Sequence, residues 1–251
     1  MLLESIVHLP TSLATFQDIF HAPGGDQLPR VFLRWAHFVA GITWIGILYF
    51  FNLVNVNFMK ALDAPTKKVV IPELMPRALW YFRWGALVTV LAGLAYYAMY
   101  ILRGDAQNAG VNVWKVLLVW MLIPIVTWAI YFFILPRIKD GKVLGIIVAV
   151  LVILMSWAII CWLEMQLGDF GSNKAYSIGI GGALGLIMLL NVWGIIWPAQ
   201  KRIIAGTVSG NAAPPELARK AFLASRTNTW LSLPMLFFMA TSHGDYIIFG
   251  K

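Results

Sequence analysis

Four histidines are the side chains best suited to chemistry: His8, His21, His37 and His243. His37 lies in the apolar stretch from Arg34 to Phe51, which also carries Gly41, Trp44 and Gly46. A polar side chain surrounded by lipid is costly and is normally paired or liganded. His243 lies in a second apolar stretch near the end of the chain. Two imidazoles on different helices at one depth can serve as the axial ligands of a haem b, with the macrocycle between the helices. Gly41, four residues after His37 and on the same helix face, leaves room for a flat ring. Trp44, at the seventh position after His37, can pack on that ring, and Arg34 can pair with a propionate. The competing reading is that His37 hydrogen-bonds a neighbouring helix, that Trp44 is ordinary packing and that Arg34 snorkels outward. Catalytic residues remain unassigned.

The elements that position these groups follow from hydropathy. Of 251 residues, 60% are hydrophobic and 12% charged, against about 25% charged in an average soluble domain. Mean hydropathy is +0.77. Apolar runs of about 20 residues mark transmembrane helices. Six are expected, at about 31–54, 79–101, 113–135, 143–165, 176–197 and 227–249, giving an all-α, polytopic membrane helix bundle. Pro136 and Pro198 are expected to stop the third and fifth, and Pro124 and Pro234 to kink the third and sixth. Residues 1–30 read as a non-spanning segment with a short interfacial helix over 12–20, broken at Pro23-Gly24-Gly25-Asp26. The intervals 55–78 and 199–226 read as loops, the latter with an amphipathic stretch over 215–225.

Twelve of the 19 basic residues fall in the first, third and fifth loops. The positive-inside rule then places those loops in the cytoplasm and both termini on the outer, periplasmic side. On this topology His37 lies roughly 9 Å, and His243 roughly 6–9 Å, inside the outer boundary. The net charge of +8 is dispersed in short loops rather than gathered on one face, which argues against nucleic-acid binding. The single cysteine, Cys161, rules out a disulfide framework, and the sequence contains no CxxCH for covalent haem. No cleavable signal peptide is visible, no Walker loop, dinucleotide GxGxxG or HExxH is present, and no Ser-His-Asp pattern stands out. Glu164 and Asp169 can take protons near the outer side, or simply lie at the interface. Asn191 and Asn228 are expected to hydrogen-bond across helices. Gly181, Gly182 and Gly185 point to close helix packing, and the twelve tryptophans to an interfacial belt.

Three blocks together resemble a known family. They are Leu33-Arg34-Trp35-Ala36-His37-Phe38-Val39-Ala40-Gly41-Ile42-Thr43-Trp44-Ile45-Gly46; Met75-Pro76-Arg77-Ala78-Leu79-Trp80-Tyr81-Phe82-Arg83-Trp84-Gly85; and Asn191-Val192-Trp193-Gly194-Ile195-Ile196-Trp197-Pro198-Ala199-Gln200-Lys201, continued by Ala224 to Thr229 and Pro234 to His243. The chain is similar to the N-terminal membrane domain of the membrane-bound urate oxidase (urate hydroxylase) family from about residue 31 on. The resemblance implies a bacterial inner-membrane oxidoreductase linked to cytochrome c, with urate as the family's substrate. Typical members continue into a C-terminal cytochrome c domain; here the sequence stops at Lys251 without one. The His/Gly-rich insertion after the first helix is also missing, since 55–78 holds no histidine. Electrons would therefore leave to a separate cytochrome c or to a larger assembly. Two other classes compete: a non-catalytic subunit of a respiratory or photosynthetic complex, and a small transporter using the proline-broken helices.

Overall fold

The structure is a computed structural model, and it describes residues 21, 23–211, 213–243 and 247–250. The expected interfacial helix over 12–20 and His8 lie outside the described residues. Within them the chain is all-helical, with no strand. Six rods follow one another: α1 Gln27–Ala61, α2 Ala64–Asn108, α3 Val113–Ile134, α4 Gly141–Phe170, α5 Asn173–Ser209 and α6 Pro215–Thr241. The first five are long and apolar enough to cross a membrane.

Local chemistry sets the rod ends. Asp63, Asn112, Asp140 and Ser172 each cap a helix by accepting backbone N–H groups of its first turn. Gly210 ends α5 in the left-handed conformation (φ 76°), which a glycine adopts without strain.

Several expected boundaries are corrected. The interval 55–78 is no loop: apart from Leu62 and Asp63 it is helical, so α1 and α2 are much longer than the apolar windows that marked them. Pro65 sits in the first turn of α2, where its missing N–H costs nothing. Pro198 does not stop the fifth helix. A π-helical stretch, Val192–Ile196, precedes it and widens the ladder where a proline ring would otherwise strike the carbonyl four residues back. The amphipathic stretch 215–225 is continuous with the sixth helix, which ends at Thr241 rather than 249, and the first helix starts at Gln27, inside the segment expected not to span.

α6 is less apolar than the other rods, and two of its polar side chains face inward. Asn228 and Ser232 are fully buried. Asn191 donates to Asn228 at 2.8 Å and accepts from the Trp128 indole at 2.9 Å, and Asn228 donates to the Met188 carbonyl at 2.9 Å. The expected cross-helix hydrogen bonds thus join α3, α5 and α6. Arg219 at one end of α6 reaches the Ile138 carbonyl (2.7 Å), while the Thr241 carbonyl at the other end accepts from Asn173 (2.9 Å). α6 therefore runs the full height of the bundle. Of the glycines flagged for packing, Gly181 does seat α6: a methyl there would stand 3.2 Å from the Met235 carbonyl.

Candidate functional site

α1 and α6 are tied together at one level and part above it. The Tyr49 hydroxyl meets Ser232 Oγ at 2.9 Å, and Asn52 donates to Ser225 Oγ at 2.8 Å. Toward the ends bearing His37 and His243 the two helices enclose, with α2 and α5, a cavity of about 350 Å³. That is within the usual range for small-molecule sites. Its wall is almost entirely apolar. Arg34, His37, Gly41, Trp44 and His243 all line it. The five residues singled out by spacing therefore share one slot, although 206 positions separate its two histidines.

His37 comes from α1 and is held by α2. Its Nδ1 lies 2.8 Å from the Thr89 carbonyl. A carbonyl can only accept, so Nδ1 carries the proton and Nε2 is left as a bare lone pair. The neighbour-helix hydrogen bond of the competing reading is therefore present, and it uses only one ring nitrogen. Gly93, one turn further along α2, makes this seat possible: a methyl there would lie 2.8 Å from Nδ1 and 2.9 Å from Cε1. His243 lies two residues past Thr241, the last residue of α6, and is exposed. Its Nδ1 lies 3.0 Å from the Met239 carbonyl and 2.8 Å from Ser242 Oγ, whose own proton goes to that same carbonyl at 2.7 Å. Here too the carbonyl fixes the proton on Nδ1. Both imidazoles thus carry the second-shell bond that usually orients a metal-ligating histidine.

The remaining expected residues have simpler roles. Arg34 stands at the mouth with its guanidinium 5.9 Å from the Tyr96 ring; Arg30, one turn earlier, lies 6.0 Å from Tyr96 and 5.7 Å from Tyr100. A methyl on Gly41 would stand 3.6 Å from Thr89 Cγ2, an ordinary contact, so Gly41 lines the slot without being forced by crowding. Trp44 is buried, with its Cβ near Gly85. It belongs to the core rather than to an interfacial belt, as does Trp120, which donates to the Gly179 carbonyl at 2.9 Å. His21 is exposed and does not line the slot. Glu164 is not a lining residue either; it accepts from the Tyr176 hydroxyl at 2.5 Å elsewhere in the bundle.

Sequence reasoning missed Thr89, Gly93, Gly182 and Gly185. Gly182 and Gly185 belong to the small-residue run noted in α5, but they face the slot, and a methyl on Gly185 would meet nothing within 4 Å. Phe38, Ile42 and Leu236 line the slot while remaining exposed, so it opens sideways between α1 and α6. Among the described residues no group of three or more His, Cys, Asp or Glu could hold a bare metal ion. A chelate that brings its own equatorial ligands, and asks the protein for two imidazoles, is compatible with that donor set.

The family described as urate oxidase N-terminal matches residues 62–250. The match takes in the second and third resembling blocks and His243, and leaves out α1 with His37. No curated protein and no solved structure is matched by the chain. With apolar helices able to cross a bilayer several times, and a match over most of its length, this is a multi-pass membrane protein that belongs to the urate oxidase N-terminal family.

Proposed function

We propose that the chain is a bacterial inner-membrane redox protein that binds haem b between His37 and His243. Electrons would pass from an organic reductant to a separate cytochrome c. The observation that carries this reading is the shared state of the two imidazoles: both line one apolar slot, and each has Nδ1–H committed to a carbonyl and Nε2 bare. In the same reading six helices span the membrane, with α6 the sixth, and both termini lie on the periplasmic side. That places the slot mouth where a cytochrome c acts.

Bound there, the haem would supply a reversible one-electron change at iron. The chain's own residues do the rest. Thr89 and Met239 hold the imidazole protons, Gly93 keeps the His37 ring in place, Gly182 and Gly185 keep the slot free of side chains, and Arg34 offers its charge to a carboxylate at the mouth. The apolar wall excludes water and so favours the less charged redox state.

Reduced-minus-oxidised absorption of the detergent-purified protein tests the reading. A Soret band that shifts on dithionite reduction is expected, and its absence in both states ends the haem assignment.

A second reading is a non-catalytic subunit of a larger respiratory complex. It is favoured by the slot's lining, which among the described residues includes no carboxylate or thiol that could handle a substrate proton. Purification in mild detergent separates the two. Turnover by the isolated chain excludes the subunit reading, whereas a stoichiometric complex with no turnover of the lone chain supports it.

A further inference from the structure

The far end of the bundle holds a cation that the redox reading does not use. Arg83, on α2, is half-buried. Its guanidinium carbon lies 3.8 Å from the centre of the Trp197 ring and 5.9 Å from that of Trp193. The Trp193 indole donates to the Arg83 carbonyl at 3.2 Å, and Trp84 packs edge-on against Trp193 with ring centroids 5.5 Å apart. Trp197 and Trp193 therefore hold the arginine in place, with Trp84 packed behind Trp193, and none of the three supplies a counter-charge. Nε is buried without a hydrogen-bond partner, and among the described residues Arg83 enters no ion pair. The buried Nε is not itself within reach of a ligand, but the terminal nitrogens enter no hydrogen bond or ion pair among the described residues. A fixed, half-desolvated guanidinium of this kind calls for an anion with paired oxygens.

Depth identifies which anion is at hand. Arg83 stands twenty residues along α2 from Arg103, or about 30 Å at helical rise, which matches the thickness of a bilayer's hydrocarbon core. Helical side chains tilt toward their helix N-terminus, so Arg83 leans away from the slot, toward the end of α2 that bears Lys67 and Lys68. Lys201, exposed, lies one turn beyond Trp197 on the same face of α5. Trp80 and Trp84 beside the site are 50% and 39% exposed, offering indole surface to acyl chains. The lipid phosphate is the oxyanion at that level.

We propose that Arg83, seated on Trp197 and flanked by Lys201, binds the phosphate of an anionic phospholipid in the leaflet farther from the slot. The site is independent of the slot and stands whether or not haem is bound.

The test is thermal unfolding of the full chain, delipidated in a neutral detergent. Phosphatidylglycerol is expected to raise the midpoint, whereas inorganic phosphate at the same concentration and uncharged diacylglycerol are not. Arg83→Gln should lose at least half of that lipid-dependent shift, and Arg77→Gln, at an exposed arginine paired with Glu73, should keep it. Equal shifts in wild type and Arg83→Gln overturn the proposal. A shift given by inorganic phosphate alone overturns the lipid assignment. Should Arg83→Gln not fold, native mass spectrometry of the wild type decides: phosphatidylglycerol retained in preference to diacylglycerol supports the site, and equal retention sinks it.

Discussion

The imidazole of His37 occupies the space that a side chain on Gly93 would fill. Fifty-six positions apart, the two residues meet so closely that a single methyl on Gly93 would stand 2.8 Å from Nδ1. The same contact keeps Nδ1 on the Thr89 carbonyl, and so turns Nε2 free. A glycine on one helix thus sets the chemistry available to a histidine on another.

Gly93→Ala should therefore displace His37. A destabilisation of about 1–3 kcal/mol is expected from overpacking, together with about a 10–100-fold loss of haem affinity from the disturbed second shell. Haem titration and thermal unfolding measure the two effects separately. Gly41→Ala is the control, since its methyl would meet Thr89 at an ordinary 3.6 Å. An unaltered affinity in Gly93→Ala would remove the positioning role.

Filling the slot should separate binding from folding. Gly185 has open space where a side chain would go. Gly185→Leu is expected to unfold within about 1 kcal/mol of wild type while losing haem. Haem retained at wild-type stoichiometry would show that the ligand sits elsewhere.

The two histidines should differ in how they fail. His37 is held by a neighbouring helix, so His37→Ala should abolish the low-spin spectrum. His243 is exposed and bonded only within its own helix end, so His243→Ala should leave a five-coordinate, high-spin species with weakened retention. Electron paramagnetic resonance distinguishes these states, and identical low-spin signals in both variants would refute the pair as ligands.

The buried amide pair should matter for stability. Asn228→Ala removes the acceptor of Asn191 and the donor to Met188. Hydrogen bonds in membrane bundles average about 0.6 kcal/mol and reach about 1.7; the loss of two here is expected to cost about 1–2 kcal/mol by denaturant titration in micelles. No measurable change would mean that water replaces both bonds.

One pH effect lies outside the membrane. Hydrogen bonds from Thr66 hold the Asp63 carboxyl below its ordinary value. A carboxylate with a lowered folded-state pKa stabilises above its unfolded value, about 3.9, and that contribution fades as pH falls through the lower folded-state value. Melting temperature should drop more steeply below pH 4 in wild type than in Asp63→Asn. Parallel pH profiles would show that this cap does not act through its charge.

The sequence by itself determined the membrane class, the number of long helical rods and the cross-helix hydrogen bonding of Asn191 and Asn228, and it singled out His37 and His243. These follow from each segment's own hydropathy and from the cost of polar groups in lipid, which are properties of residues close in sequence. It could not show that 55–78 is helical, because that stretch is polar enough to read as a loop and is held by packing along α1 and α5. Nor did it reveal that Pro198 is absorbed by a π turn. Only the tertiary structure decided that α1 and α6 are bonded at Tyr49 and Ser232 and part beyond, leaving a slot. Only the register of α1 on α2 put Gly93 under His37 and the Thr89 carbonyl on its Nδ1. Such contacts depend on how rods are rotated and shifted against one another, and hydrophobicity that is nearly uniform around a lipid-facing helix carries little record of either.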